Sequence, residues 1–368
     1  MIYRIIVFIV LSISLIFLVI LFGWEFWTMI GVPANDFMFG DFEIIKISSK
    51  LVSEGIDPRN HNIDGLPQLN YPSIWIKISD FLNLHSGNNS VFVVVIMIFL
   101  YWYVNVDIIK KTNSFIPIFF FFSGSSLLLI ERGNTDLLII FLSYLISKNL
   151  KYLTGFIFIS SVMLKIYPIF LYPFIFFKNK YRFLILVIIS SLIFWFKDDL
   201  LLSFNKTPKP SSTAFGTNSI SIILERYLGL EINFLFISIL FILISFFLYN
   251  IFYKGKFSII RSVEFENLFI CGSSILILSF LASSNWDYRL SFLILCIPYL
   301  SLHSKKLNVV FITLSLISMH FSIEYFFLGK IGSLINLLSK VTLFILLTII
   351  SFDILIKNMH DLKFFKIK

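Results

Sequence analysis

An acidic cluster follows the first apolar run of the chain and holds the best candidates for a group that removes a proton. Its members are Asn35, Asp36, Asp41 and Glu43. A carboxylate that is partly shielded from water has a raised pKa and can act as a base toward a hydroxyl group. The alternative is structural, with Asp41 capping a helix that begins at Phe42.

A six-residue polar island, 131–136, stands between two apolar runs and reads Glu-Arg-Gly-Asn-Thr-Asp. One interpretation is a ligand site in which Arg132 and Asn134 bind substrate. The other is a solvated turn in which Asp136 caps the following helix. Both interpretations remain open from the sequence.

Lys165 lies in an otherwise apolar stretch, beside Tyr167. A lysine in such surroundings needs a partner or an anionic ligand, because an unpaired charge is costly to bury. The alternative is that its long side chain snorkels to the lipid headgroups. The sequence therefore predicts either an anion-binding lysine or a surface anchor.

A tight turn at 283–289 carries Trp286, Asp287 and Arg289. An arginine in such a turn suits a phosphate clamp, since guanidinium and phosphate form charge-assisted hydrogen bonds. The alternative is an interfacial tryptophan next to a structural pair of Asp287 with Arg289.

Several classes of chemistry find no support in the sequence. It has no zinc-ligand spacing, P-loop, dinucleotide fingerprint or nucleophile elbow, so we expect no cofactor and no metal site, and a divalent cation is not indicated. Cys271 and Cys296 lie in apolar segments without partner spacing. The net charge of +9 comes largely from short basic clusters between apolar runs, which argues against a nucleic-acid partner.

The elements that must position these residues are apolar helices. The chain has 368 residues, of which 58% are hydrophobic and 14% charged, and apolar runs recur along its whole length. We predict a single all-α membrane domain, 1–368, with about twelve spans and a range of 10–13. The candidate spans are 5–24, 91–106, 115–130, 137–147, 152–164, 166–177, 183–196, 232–253, 267–283, 290–303, 308–323 and 335–356.

Basic clusters predict how these spans are oriented. With twelve spans and a cytoplasmic N-terminus, the lysine-rich connections all fall inside, as the positive-inside rule requires. Both termini are then cytoplasmic, and the segments outside are 25–90, 131–136, 197–231 and 283–289. A single kinked span over 152–177 is the alternative. The Phe-, Ile- and Leu-rich composition favours a bacterial host, and hence its inner membrane.

The long first outer loop, 25–90, contains two segments with helical periodicity. Apolar residues recur at helical spacing over 41–54, and Gly55 follows as a stop signal. A second segment, 73–85, begins after Pro72. We predict two amphipathic helices lying at the membrane interface.

Taken in order, these segments resemble the GT-C superfamily of membrane glycosyltransferases, most closely the polyprenyl-phosphate-mannose-dependent mannosyltransferases of glycosyltransferase family 87. The resemblance runs from the first loop to Arg289 through short motifs, and it departs from the family where a Gly-Gln-x-Asn turn lacks its Gln. The matching segments are Gly40-Asp41-Phe42, Gly55-Ile56-Asp57-Pro58, Tyr71-Pro72, Arg132-Gly133-Asn134, Lys165-Ile166-Tyr167-Pro168, Asn218-Ser219 and Asn285-Trp286-Asp287-Tyr288.

The resemblance implies an inverting transfer of a sugar, mannose or another hexose, from a polyprenyl-phosphate donor to a lipid or glycan acceptor outside the membrane. Asp41 takes the position of the base. The residues expected to bind substrate are Asp36, Arg132, Asn134, Lys165, Tyr167, Asn218, Trp286, Asp287 and Arg289.

Two other functions remain open from the sequence. One is a multi-span transporter or flippase, although such proteins tend to show internal repeats and ionisable residues near the bilayer midplane. The other is a lipid-linked polysaccharide polymerase, against which the single arginine of the 197–231 loop counts.

Overall fold

The computed structural model describes residues 1–34, 38–60, 68–85, 88–179, 181–207, 214–253, 262–282, 285–320 and 329–361. Within these ranges the protein is almost entirely helical. Its α-helices are α1 Ile2–Phe22, α2 Phe26–Met29, α3 Gly40–Ser53, α4 Ile74–Phe81, α5 Asn89–Thr112, α6 Ile116–Phe121, α7 Gly124–Glu131, α8 Asp136–Ser147, α9 Tyr152–Leu164, α10 Tyr172–Lys178, α11 Arg182–Trp195, α12 Lys197–Lys206, α13 Thr217–Leu228, α14 Phe234–Leu248, α15 Val263–Ala282, α16 Ile297–Leu300, α17 Lys305–Met319 and α18 Gly329–Asp361.

Five further elements complete the described fold. Tyr167–Leu171 and Asp287–Cys296 are 3₁₀ helices, and Tyr249–Tyr253 extends α14 as a π-helical turn. Strands β1, Ala214–Phe215, and β2, Asn285–Trp286, form one antiparallel ladder.

Five helices of the described chain are long and apolar enough to cross a bilayer, which confirms an all-α membrane protein. They are Ile2–Phe22, Asn89–Thr112, Phe234–Tyr253, Val263–Ala282 and Ile331–Asn358. Four shorter apolar helices fall where further spans were predicted: Asp136–Ser147, Tyr152–Leu164, Tyr167–Phe176 and Arg182–Trp195.

Several of the predicted spans are not continuous α-helices, among them 115–130 and 290–303. The segment 115–130 divides into α6 and α7, because Ser123 adopts an extended backbone and its hydroxyl accepts a hydrogen bond from the Ser126 amide. The segment 290–303 is mainly the Asp287–Cys296 3₁₀ helix, which lies at the centre of the fold and packs against α15 and α7. Gly272 on α15 permits this close packing, since a Cβ there would lie 2.9 Å from the Phe292 carbonyl oxygen.

The segment 152–177 folds back on itself as a helical hairpin. Helix α9 ends where Lys165 takes an extended conformation, with φ −159° and ψ 134°. The ends of the two limbs meet again: Asn179 donates a side-chain hydrogen bond to the Lys151 carbonyl over 3.2 Å, and Asn149 donates one to the Lys178 carbonyl over 3.3 Å. A single through-running helix over this segment is therefore excluded, and Lys165 stands at the hairpin tip.

Both segments of the first loop that were predicted to be helical are helices. Helix α3 covers 40–53, and Gly55 follows with a positive φ of 77°. Helix α4 is shorter than predicted and ends at Phe81, shortly before Asn83 adopts a left-handed φ of 51°. The two helices pack on each other.

Candidate functional site

The start of α3, the polar island, the hairpin tip and the β2 turn converge in one buried polar cluster. We call this set, consisting of Asp41, Asn134, Asp136, Lys165 and Arg289, the polar cluster. Each of its members is buried or partly buried. The four segments that sequence reasoning singled out are thus neighbours in space.

Asp41 enters the cluster from the first turn of α3. The helix begins at Gly40 after Phe39, which has a left-handed φ of 56°, and no side chain caps it. The Asp41 amide donates to the Arg132 carbonyl oxygen over 3.0 Å, while its carboxylate accepts a hydrogen bond from Asn134. The interpretation of Asp41 as a helix cap is therefore wrong.

Asn134 links Asp41 to the rest of the cluster, where Asp136, Lys165 and Arg289 lie. Its Nδ2 donates to Asp41 and, at 3.4 Å, to the Tyr71 hydroxyl. Its Oδ1 accepts from Lys165 Nζ at 2.9 Å and from the Asp136 amide at 2.9 Å. The amide that begins α8 is thus satisfied by the Asn134 side chain, and Asp136 is not the cap that one interpretation predicted.

Asp136 is fully buried and holds both cations of the cluster. Lys165 Nζ forms an ion pair and a hydrogen bond with its Oδ1. Arg289 Nε lies 3.5 Å from Oδ2, which is long for a charge-assisted hydrogen bond. The side chains of Lys165 and Arg289 are only 14% and 12% exposed, so Lys165 is not a surface anchor. Lys165 and Arg289 thus share the Asp136 carboxylate, and Lys165 also lies within electrostatic range of Asp41.

Gly133 allows the island to approach α3. It has a positive φ of 56°, and a Cβ at this position would lie 2.7 Å from the Phe39 Cβ. Any other residue would therefore strain the backbone and push the first loop away. This close approach places the Arg132 carbonyl against the Asp41 amide.

Tyrosine rings enclose the cations. The guanidinium of Arg289 lies 4.1 Å from the centre of the Tyr167 ring, and Lys165 Nζ lies 5.7 Å from the same ring and 5.4 Å from that of Tyr71. Tyr288 is buried within electrostatic range of both carboxylates. Sequence reasoning did not place Tyr71 or Tyr288 in the site, although both stand within motifs that it quoted.

Burial raises the pKa of the Asp41 carboxyl above its ordinary value. The charges of Arg132 and Lys165 and the hydrogen bond from Asn134 oppose this rise, and the Asp136 charge adds to it. A carboxylate with a raised pKa is a stronger base, while its ionised form is still supported by donors. The arrangement suits proton abstraction from a hydroxyl group.

The remaining predicted site residues lie around the cluster. Arg132 donates to the Pro33 carbonyl at 3.0 Å and pairs with Glu131 at 3.1 Å. Trp286 is half-buried and stacks parallel to Tyr288. Asp287 is fully buried and pairs with Lys340.

Of the two further predicted residues, the structure describes one. Asn218 lies in the first turn of α13, next to Thr217, whose hydroxyl donates to the Leu281 carbonyl at 3.2 Å. Asp36 falls outside the described residues.

A cleft adjoins the polar cluster, between the start of α4, the end of α9 and the junction of α11 with α12. Its lining is mostly apolar, with Lys77 and Asp199 as its charged members. The wall between cleft and cluster is thin, because Tyr71 contacts the cluster and Lys165 belongs to it, while the nearby residues Pro72 and Met163 line the cleft. Trp75 closes this wall with a hydrogen bond from its indole N–H to the Leu164 carbonyl, 2.8 Å long.

The described residues contain no group of three or more His, Cys, Asp or Glu side chains arranged to hold a metal ion. Comparisons with models of protein families, with curated proteins and with solved structures give no match to this chain.

Proposed function

We propose that the protein is an inverting glycosyltransferase that moves a sugar, mannose or another hexose, from a polyprenyl-phosphate donor to a hydroxyl of a lipid or glycan acceptor. One observation carries the proposal. A carboxylate with a raised pKa, Asp41, is joined through Asn134 to the buried cation Lys165, and Lys165 shares the Asp136 carboxylate with Arg289. A base and an anion site are thus held in one cluster.

In the proposed reaction, Asp41 accepts the proton of the acceptor hydroxyl as its oxygen attacks the anomeric carbon. The bond between that carbon and the phosphate oxygen breaks on the opposite face, and the phosphate leaves with the electron pair. Lys165 and Arg289 stabilise the charge that develops on the leaving oxygen. Phosphate is a good leaving group, so no general acid is required.

The cleft beside the cluster supports a lipid-linked donor. Phe194 and Trp195, at the end of the apolar helix α11, are largely exposed and lead directly to the cleft-lining Phe196. Exposed aromatic side chains at the end of an apolar helix are typical of a membrane interface. An amphiphile whose chain lies along this apolar lining would bring its phosphate to the thin wall behind which Lys165 lies.

The proposal includes twelve membrane passages in a bacterial inner membrane, with both termini cytoplasmic and the polar cluster outside. The positions of the helix ends support this topology. The C-terminal ends of α5 and α8 meet the N-terminal end of α15 near Lys111, Lys148 and Glu264, at the opposite end of α8 from the polar cluster. The partners are the lipid-linked donor and the acceptor.

Replacement of Asp41 by Asn tests the proposal. Asn keeps the size of the side chain and an oxygen that can accept from Asn134, but it cannot take a proton. With purified protein, labelled polyprenyl-phosphate mannose, glucose or arabinose and a host lipid extract as acceptor, we expect sugar transfer to fall at least about a hundredfold while donor binding persists.

Glu43→Gln is the matched control, because Glu43 lies on the same helix and pairs with Lys46 over 2.9 Å at a partly exposed site. It should keep transfer within a few-fold of the parent. The transfer rate of the parent should also fall as the pH decreases, because protonated Asp41 cannot act as a base. The midpoint of this fall should lie above the pKa of an ordinary aspartate. Normal transfer by Asp41→Asn would remove Asp41 from the mechanism.

A further inference from the structure

Lys340 is a buried cation in the middle of α18, within the membrane-length segment Ile331–Asn358. Its side chain is 4% exposed, and its surroundings include the apolar side chains of Phe215, Leu343 and Phe344. Sequence reasoning did not single it out, although a lone lysine inside an apolar run was a usable signal. Its position calls for an explanation.

The Lys340 ammonium joins α18 to the β1–β2 ladder. Nζ lies 2.8 Å from Asp287 Oδ2 and donates to the Ala214 carbonyl oxygen over 3.1 Å. Ala214 pairs with Trp286 across the ladder. One cation therefore contacts both strand β1 and the residue that follows strand β2.

The same short turn presents Arg289 to the polar cluster. Asn285 donates from its side chain to the Ser279 carbonyl oxygen at the end of α15, and its Oδ1 accepts from Arg289. Arg289 in turn faces Asp136 and covers the Tyr167 ring. Lys340 thus holds the turn 285–289 through Asp287, near the middle of the turn. Arg289, at the end of the turn, lies in the polar cluster.

A buried ion pair contributes little net stability compared with apolar side chains of similar size, because both charges must be desolvated. Its better attested role is to specify one arrangement among several. We propose that Lys340 is a positioning residue: through Asp287 it fixes the turn that presents Arg289 to the anionic group of the substrate. The substrate part of this inference rests on the proposed function.

The double variant Lys340→Met with Asp287→Leu tests the proposal, because it removes both charges and keeps the volume. The matched control is Asp353→Leu with Lys357→Met, which removes an ion pair at the far end of the same helix. We expect both double variants to fold with similar melting temperatures. Only the first should weaken binding of a short prenyl phosphate, by about tenfold, as the loss of one well-placed charge-assisted hydrogen bond predicts.

A second readout does not depend on the substrate. The protein is labelled with 5-fluorotryptophan, and the ¹⁹F resonance of Trp286 is assigned by its absence in Trp286→Phe. This resonance should shift or broaden in the Lys340/Asp287 double variant and stay unchanged in the Asp353/Lys357 double variant. Lys340→Arg, which keeps the charge, should retain most of the parent's affinity.

The outcomes separate the two proposals. An unchanged Trp286 resonance together with unchanged phosphate affinity in the Lys340/Asp287 variant would overturn the positioning role. If the parent binds no prenyl phosphate, the proposed function fails, and the ¹⁹F resonance alone then decides whether Lys340 fixes the turn.

Discussion

Two sets of ion pairs among the described residues lie at opposite ends of α8, and they differ in how they are built. The polar cluster lies at one end. At the other end lies a set that we call the basic rim, consisting of Asp107, Lys111, Tyr144, Lys148 and Glu264. Both sets mix lysines with carboxylates and include or contact tyrosine, yet their surroundings are different.

At the basic rim the charges remain in contact with solvent. The Glu264 side chain is 44% exposed and that of Lys148 is 26% exposed, and Glu264 pairs with Lys111 at 3.2 Å and with Lys148 at 2.7 Å. These residues lie on or next to the ends of three regular helices, α5, α8 and α15. Such pairs are screened by salt and contribute little individually.

In the polar cluster the charged side chains of Lys165, Arg289 and Asp41 stand next to breaks in the regular secondary structure. Lys165 follows the break after α9, Arg289 follows β2, and Asp41 follows the left-handed Phe39. Asp136 is fully buried there. Regular helices thus end at the basic rim, where the charged side chains reach solvent. At the polar cluster, where side chains converge, the secondary structure is interrupted.

The largest effect should come from removing the carboxylate that holds both cations. Asp136→Leu leaves Lys165 and Arg289 buried without their shared partner, so we expect the free energy of unfolding to fall by about 3–5 kcal/mol. Glu264→Gln at the basic rim should cost less than about 1 kcal/mol. Unfolding in mixed micelles with increasing sodium dodecyl sulfate measures both. Equal losses would contradict the difference between the two sets.

A second test asks whether the two sets face opposite sides of the membrane. In a background of Cys271→Ala and Cys296→Ala, single cysteines replace four exposed residues: Ser53 and Asn60 on the side of the polar cluster, Lys151 and Ser304 on the side of the basic rim. An impermeant thiol reagent applied to intact cells should label only the first two. Labelling at Lys151 from outside would refute the proposed twelve-passage topology.

The smallest effect concerns salt. Raising the ionic strength from 0.1 to 1 M shortens the screening length from about 10 Å to about 3 Å. We expect a loss of a few tenths of a kcal/mol in the parent from the basic rim, and no such loss in Glu264→Gln. If the salt effect persists in Glu264→Gln, it arises from charges outside the basic rim.

The sequence was sufficient to single out Asp41, Lys165 and Arg289, because each stands where an apolar run stops or is interrupted, but Asp136 was not among the predicted site residues. The sequence could not show their pairing. Asp136 resembled a helix cap, since its partners Lys165 and Arg289 are far along the chain, and a single sequence carries no signal for such contacts. The pairing of Lys340 with Asp287 was missed for the same reason.

Regular helices were predicted more reliably than irregular ones. The first-loop helix α3 follows directly from its apolar periodicity. The 3₁₀ segment Asp287–Cys296 was taken as part of an ordinary span, because hydropathy reports burial in apolar surroundings and does not report the number of residues per turn. The count of twelve passages stays a prediction.

The shortness of two neighbouring helices, α9 of the hairpin and α11, has a consequence for the surrounding lipid. Helix α9 and its neighbour α11 are 13 and 14 residues long, so each extends about 20 Å, against about 30 Å for an ordinary hydrocarbon core. Both present exposed apolar side chains, among them Phe156 and Phe183. Hydrophobic mismatch on this flank should make the bilayer thinner there than beside α5. Acyl chains would then be shorter or more tilted next to the cleft, and a lipid headgroup would sit nearer to the depth of Lys165.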